Sequence, residues 1–239
     1  MGEKTALVTG ASRGIGQAIA LKLGQAGYRC ILTARNEEKL VATQKLLEQS
    51  QAPQPVVIPA DLANEQSIAS LAQEALQATN NRIDVLVNNA GVLYLKPFLD
   101  LSLNELDEMM AVNFRAVFYL TQLILPAMID RQGGTIVNIA SLAGKNGFKT
   151  GTGYGASKWA LRGWANSLML EVRQYNIRVV TIFPGSVNTD MAGHSPTAPL
   201  RETMIQPEDV AEAVLTAVQM PQRSMISEID IRPTNPKKA

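Results

Sequence analysis

Short runs of β-branched and apolar residues alternate with longer amphipathic stretches along the whole chain, and few architectures accept that order. Strand candidates fall at Thr5–Thr9, Arg29–Thr33, Pro55–Pro59, Val85–Asn88, Thr135–Ala140, Arg178–Phe183 and Glu228–Ile231. Helix-like patterns lie between them at Ile15–Ala26, Glu37–Gln49, Glu65–Thr79, Leu103–Asp130, Tyr154–Tyr175 and Pro207–Met220. Asn36 before Glu37-Glu38, and Asn64 before Glu65, read as helix N-caps with acids in the first turn. Strand–helix–strand repetition makes βαβ units, whose parallel strands are covered on both faces. The Val85-Leu86-Val87 and Ile136-Val137 runs are apolar without alternation, as such strands should be. The expected class is α/β, a doubly wound sheet of seven parallel strands flanked by helices on both faces.

No linker, internal repeat or low-complexity segment divides the chain, so its 239 residues are expected to form one domain, 1–239, with a polar tail at 233–239 that frays. A net charge of +1 excludes nucleic-acid or membrane-surface binding driven by global charge. The single cysteine, Cys30, rules out an intramolecular disulfide framework, and its apolar neighbours Ile31 and Leu32 suit an inert thiol. The apolar stretch Ala116 to Ile129 is interrupted by Thr121, Gln122 and Pro126 and is too short to span a bilayer. With no signal pattern before the first strand, a soluble, cytoplasmic protein is expected.

The first strand runs into Thr9-Gly10-Ala11-Ser12-Arg13-Gly14-Ile15-Gly16, and a helix follows at once. A glycine cluster by itself marks only a turn. Between a strand and a helix it permits close approach of a pyrophosphate, which the free N–H groups and dipole of the helix attract. That is the start of a Rossmann-type sheet. An NAD site usually has an acid after the second strand, to hold the ribose hydroxyls. Here Thr33-Ala34-Arg35 stands there, and Arg35 with Arg13 forms a candidate clamp for a 2′-phosphate. Two solvated arginines are the competing reading. Glu37 and Glu38 are rival ribose ligands but occupy first-turn helix positions. NADP(H) is the expected cofactor.

Tyr154 and Lys158 are spaced to share one helix face. A cation one turn from a phenol favours the phenolate and makes proton exchange near neutral pH accessible, which predicts a tuned acid/base.

These pieces resemble the short-chain dehydrogenase/reductases over almost the whole length. The family's glycine motif appears from Thr9-Gly10 to Gly16, its adenine-pocket acid as Asp61-Leu62, and its N-N-A-G motif as Asn88-Asn89-Ala90-Gly91. Its helix asparagine fits Asn113 and its catalytic serine Ser141, thirteen residues before Tyr154. Pro184-Gly185-Ser186-Val187-Asn188-Thr189 matches the segment after the sixth strand. The resemblance implies hydride transfer between a nicotinamide and a carbonyl or alcohol. By it, Ser141 stabilises charge developing on the substrate oxygen, and Tyr154 donates or accepts the proton. Lys158 binds the nicotinamide ribose and lowers the Tyr154 pKa, and Asn113 orders a water chain from Lys158. A buried asparagine kept for local hydrogen bonds is the alternative for Asn113. The implied cofactor-binding set is Gly10, Ser12, Arg13, Gly14, Ile15, Gly16, Arg35, Asp61, Leu62, Asn88, Ala90, Gly91, Tyr154, Lys158, Pro184, Gly185, Val187 and Thr189.

Substrate selectivity is expected from Val92–Phe98, Leu142–Thr150 and Asp190–Gln206, the last read as a lid. Leu93, Tyr94, Phe148, Met191 and Met204 favour a medium-sized, partly apolar small molecule. Lys145 and Lys149 are either contacts for an acidic substrate group or exposed loop charges. His194, the only histidine, reads as a loop residue, and no metal site is expected. Trp159 and Trp164 read as core or subunit packing. Within the family the chain looks nearest to carbonyl reductases, with 3-oxoacyl-carrier-protein reductase as the runner-up. Arg131, Arg173 and Arg178 are the candidate carrier-docking patch. Against that reading, Glu228-Ile229-Asp230-Ile231-Arg232-Pro233 replaces the glycine-rich ending of the fatty-acid enzymes. A silent NADP(H)-sensing protein is the alternative of another class. The family also implies a homotetramer or homodimer built through the long helices.

Overall fold

The computed structural model describes residues 3–191 and 200–237. Alternate residues of each central strand feed two different cores. Ala6, Val8, Cys30, Leu32, Val85, Val87, Val137, Val180 and Ile182 face one side, and Leu7, Ile31, Leu86, Ile136, Ile177 and Val179 face the other. Both sets are apolar because both faces are covered, which is why the strand runs lack polar alternation. The strands are β1 (Lys4–Thr9), β2 (Tyr28–Thr33), β3 (Val56–Val57), β4 (Val85–Asn88), β5 (Gly134–Ile139), β6 (Ile177–Pro184) and β7 (Glu228–Ile231). They form one seven-stranded parallel sheet in the order β3-β2-β1-β4-β5-β6-β7. The chain reverses its winding between β1 and β4. The fold is the expected Rossmann-type α/β sheet, and its ligand crevice opens at the carboxyl ends of strands beside that switch.

Helices α1 (Gly14–Gln25), α2 (Glu37–Gln49), α3 (Glu65–Ala78), α4 (Leu103–Met110), α5 (Ala116–Asp130), α6 (Thr152–Val172) and α7 (Pro207–Gln219) complete the layers. Residues of α1, α2 and α7 pack into one core, and residues of α3, α5 and α6 into the other. Asn36 and Asn64 cap α2 and α3 as their sequence positions predict, accepting from Lys39 N and Ser67 N. Glu37 and Glu38 lie in the first turn of α2.

The long helix expected at Leu103–Asp130 is interrupted by a π-helical turn, Ala111–Arg115, in which Ala116 N–H reaches back to Ala111 O. Turns of this kind insert one residue into the helical phase and concentrate at functional sites. Here the turn carries Asn113 inward to full burial. Pro126 stays within α5 on its exposed face, where water can satisfy the carbonyl its ring deprives of a donor. By length and composition Leu103–Asp130 is apolar enough to cross a membrane, yet Val117, Leu120, Ile124 and Met128 bury one side of it in the sheet core. Cys30 is buried, and burial pushes its thiol pKa up to about 12, which suits an inert packing residue.

His194 and the centre of the 190–206 segment lie outside the described residues, as do Lys238 and Ala239. In the described part of the tail, Lys237 O accepts from Leu200 N and Lys237 N donates to Thr203 Oγ1.

Candidate active site

Gly10, the first member of the site, follows β1 with φ +67°. A Cβ on Gly16 would overlap the Gly10 carbonyl oxygen, so the turn closes only with glycine at that position. The N-terminus of α1 has no side-chain cap and no acid in its first turn. Its N–H groups therefore suit an anion, and the glycine turn gives room for a pyrophosphate to approach the backbone. Across this turn, Gly14 faces Thr189, whose Cγ2 lies 3.2 Å from where a Gly14 Cβ would stand. The two segments expected to enclose a dinucleotide thus meet.

Two residues without a predicted role brace this turn. Asn89 Nδ2 donates to Thr9 O at 2.8 Å, and Thr9 Oγ1 accepts from Asn89 N at 2.9 Å and Ala90 N at 3.0 Å. Asn88, expected along the cofactor path, turns its side chain inward. It is 2% exposed, and its Nδ2 donates to Asn138 Oδ1 at 2.9 Å and to Thr121 Oγ1. Its side chain joins β4 to β5 and α5. The Leu62 side chain packs in the α3-side core. Asp61 remains exposed after β3, where its Oδ1 accepts from Ala63 N.

The two arginines of the expected phosphate clamp are both exposed. Arg13 Nη1 pairs with Asp190 Oδ2 at 2.5 Å, across the groove between the glycine turn and the segment after β6. Among the described residues Arg35 has no ion-pair partner at the end of β2.

On the other side of the switch, Ser141 follows β5 and caps the turn Leu142–Gly144, accepting from Ala143 N at 3.1 Å. Tyr154 and Lys158 stand one turn apart on α6. Ser141 stands near enough to the Tyr154 phenol to pull its pKa down. Lys158 is buried, and its Nζ donates to Ile139 O at 3.0 Å. Asn113 Oδ1 accepts from Val92 N at 2.8 Å, while its Nδ2 donates to Val92 O and to Ser157 Oγ. Gly91 lies between them, with its Cβ position 3.1 Å from Asn113 Oδ1 and 3.8 Å from Lys158 Nζ. Ser157, absent from the sequence expectations, also donates to Tyr154 O.

The electrostatics reverse one expectation. Burial is the dominant influence on Tyr154 and pushes its pKa up to about 12, with Ser141 pulling the other way. Burial also lowers Lys158 to about 8. The Lys158 ammonium is 5.8 Å from the ring centroid and is turned toward Ile139 O. Desolvation disfavours the charged form of each group. The phenol is therefore protonated at neutral pH in this arrangement.

Around the site, Lys96 N donates to Thr150 O, which joins two of the expected substrate segments. Phe148 and Lys149 are exposed and Met204 is buried. Lys145 is already held by Glu228 and Asp230. The supposed carrier patch divides: Arg131 and Arg178 line a cleft of about 920 Å³ at the opposite end of the sheet, together with Arg82 but without Arg173. Arg131 pairs there with Asp84, and Arg178 donates to Val218 O and Met220 O at the end of α7.

A Ser–Tyr–Lys constellation beside a glycine turn, at the carboxyl edge of a doubly wound sheet, defines a nucleotide-dependent oxidoreductase. The model of the short chain dehydrogenases matches residues 4–199, and the chain belongs to that family. It is 35% identical over 232 residues to an uncharacterised oxidoreductase of Staphylococcus aureus (strain USA300), with 97% of each chain covered. A metagenomic short-chain oxidoreductase solved in complex with NADP is 39% identical, covers 98% of both chains and superposes with a TM-score of 0.85. An alcohol dehydrogenase from the archaeon Thermococcus sibiricus, solved with 5-hydroxy-NADP, is 30% identical over 97% of both chains with a TM-score of 0.89.

Proposed function

We propose that this protein is an NADP(H)-dependent reductase of a medium-sized, partly apolar carbonyl compound, acting reversibly on the corresponding secondary alcohol. The observation that carries this reading is the pairing of Tyr154 with buried Lys158 one turn on along α6, the Lys158 ammonium 5.8 Å from the ring, with Ser141 near enough to act on the phenol. Ser141 stabilises the charge that develops on the substrate oxygen. Tyr154 delivers the proton to that oxygen, and its protonated state at neutral pH suits reduction. Lys158 orients the ribose next to the reacting ring, and Asn113 fixes the Val92 main chain beside it. When bound, the nicotinamide supplies the hydride. The NADP-bound relatives and the exposed Arg35 in place of an acid favour the phosphorylated cofactor.

The ion pairs on Lys145 disfavour an acidic substrate group at that position. Because Arg131 and Arg178 are occupied at the far end of the sheet, no observation favours carrier-protein docking there. A silent NADP(H) sensor is disfavoured because Asn113, Ser141, Tyr154 and Lys158 are all present. Self-association would cover Phe118, Trp159 and Leu170, which are exposed on α5 and α6.

A panel of ketones, aldehydes and acyl thioesters, followed by NADPH absorbance, tests the activity. Tyr154→Phe should abolish turnover of the substrate so found while NADPH binding persists. Unchanged turnover would overturn the assignment.

A further inference from the structure

The edge strand β7 carries acids where a core strand would carry apolar side chains. Its alternation sends Ile229 and Ile231 against the core beneath α1 and α7. Glu228 and Asp230 take the other face. The parallel register sets Glu228 beside Thr181 and Asp230 beside Phe183, a fully buried ring of β6. Two cations meet them over that ring. Lys145 Nζ lies 2.7 Å from Glu228 Oε2 and 2.6 Å from Asp230 Oδ1. Arg162 grips both oxygens of Glu228, from Nε at 2.9 Å and Nη2 at 3.2 Å. The Phe183 ring centroid is 4.1 Å from Lys145 Nζ and 5.6 Å from the Arg162 guanidinium.

Each cation sits four residues beyond a member of the proposed active site: Lys145 follows Ser141, and Arg162 follows Lys158. The segment after Ser141 is also held by Leu142, packed against the cluster of Ala140, Leu161 and Phe183, by the buried Ala143, and by the Lys96 N–Thr150 O bond. It forms one short turn, Leu142–Gly144, and Asn146 to Lys149 are exposed. The Gly144 backbone lies close against α6, because a Cβ there would be 2.9 Å from the Lys158 carbonyl oxygen. Isolated exposed ion pairs contribute little. This cluster differs, since the Lys145 and Glu228 side chains are only 19% and 23% exposed and one carboxylate is gripped bidentately.

We infer that Lys145, Arg162, Glu228 and Asp230 are positioning residues that clamp the Ser141 turn onto α6 and so keep the Ser141 hydroxyl facing the Tyr154 phenol. The role in turnover rests on the reductase reading given above; the anchoring of the turn does not. Burial works against the Lys145 charge, but its bonds to Asp230 and Glu228 outweigh it and raise its pKa, so the clamp holds throughout the neutral range.

Lys145→Met, Glu228→Gln and the double variant of the full chain test the inference in two ways. Amide hydrogen exchange needs no substrate. The peptide covering 141–151 should exchange about fivefold faster or more in either single variant, while the α2 peptide stays unchanged. Exchange at 141–151 equal to that of the unaltered protein overturns the clamp, whether or not turnover exists. With a carbonyl that the protein reduces, kcat should fall about tenfold in each single variant with KM for NADPH within about twofold, and the double variant should add little. Lys145→Arg should recover most of the rate. Unchanged kcat overturns the positioning role. An unaltered protein that reduces nothing on the panel sinks the reductase reading alone, because the exchange result is read separately.

Discussion

Asn113 Nδ2 lies 3.0 Å from Ser157 Oγ, and this bond ties the π-helical turn to the helix that carries Tyr154 and Lys158. The same side chain satisfies both the N–H and the carbonyl of Val92, so three segments around the proposed reaction centre depend on one buried amide. Replacing it with alanine strands two main-chain groups at once. Asn113→Ala should destabilise the protein by about 2–4 kcal/mol in urea unfolding, since each stranded buried group costs about 1–3 kcal/mol. Ser157→Ala, which leaves the Val92 bonds intact, should cost about 1 kcal/mol. Equal losses for the two variants would show that Asn113 does not organise the Val92 segment.

The contact between Gly16 and Gly10 makes a sharper demand. Because a Cβ on Gly16 meets backbone and the Asn89 amide, nothing flexible can move aside. Gly16→Ala should weaken NADPH binding about tenfold or more, measured by fluorescence titration, through displacement of the turn. Gly133→Ala is the control, since no atom lies within 4 Å of its Cβ position, and its NADPH affinity should match that of the unaltered protein. Normal binding by Gly16→Ala would separate the glycine turn from the cofactor site.

The sheet was legible in the sequence because strands buried on both faces must be apolar at every position, as Val85-Leu86-Val87 shows. The expected third strand, bounded by Pro55 and Pro59, shortened to Val56–Val57 because it is an edge and proline cannot donate to a ladder. Ser141, Tyr154 and Lys158 were readable from their spacing, and the structure groups them. Other features had no local signal. Ala111–Arg115 carries nothing in its composition that distinguishes a π turn from the surrounding helix. Asn88 and Asn89 are identical residues whose side chains have opposite fates because one step along the chain changes the direction of the side chain. Lys145 finds Asp230 across 85 residues, a pairing that only the sheet order creates. Spacing reveals the cation neighbouring Tyr154 but not the loss of water around the phenol, which pushes its pKa up.

Burial of Lys158 makes stability depend on pH with a definite sign. Its pKa is about 8 in the folded protein, whereas an unfolded lysine holds its proton to about 10.4. Between those values the unfolded chain binds more protons, so this residue makes stability rise with pH over that window. Below about pH 8 its full cost is present. Lys158→Met removes the titration and should therefore stabilise the protein at pH 7, by an amount on the order of 1–3 kcal/mol, with a smaller gain at pH 9.5. Melting temperatures of both proteins at the two pH values measure this. A constant difference between them would mean that the lysine is not desolvated.

Cofactor choice turns on which anion the arginines meet. Arg13 is paired with Asp190, so a 2′-phosphate competes with that carboxylate for the same guanidinium, whereas Arg35 is exposed without an ion-pair partner among the described residues. The two positions should then respond in opposite directions. Arg35→Asp should raise KM for NADPH about tenfold and leave KM for NADH nearly unchanged, because repulsion replaces attraction only when the phosphate is present. Asp190→Asn releases Arg13 and should lower KM for NADPH by about two- to fivefold, the range expected when an exposed ion pair no longer competes. Steady-state kinetics with both cofactors measure the pair of effects. If Arg35→Asp changes KM for NADPH and NADH alike, Arg35 acts on the fold and not on the phosphate; if the unaltered protein prefers NADH, neither arginine serves as a phosphate ligand.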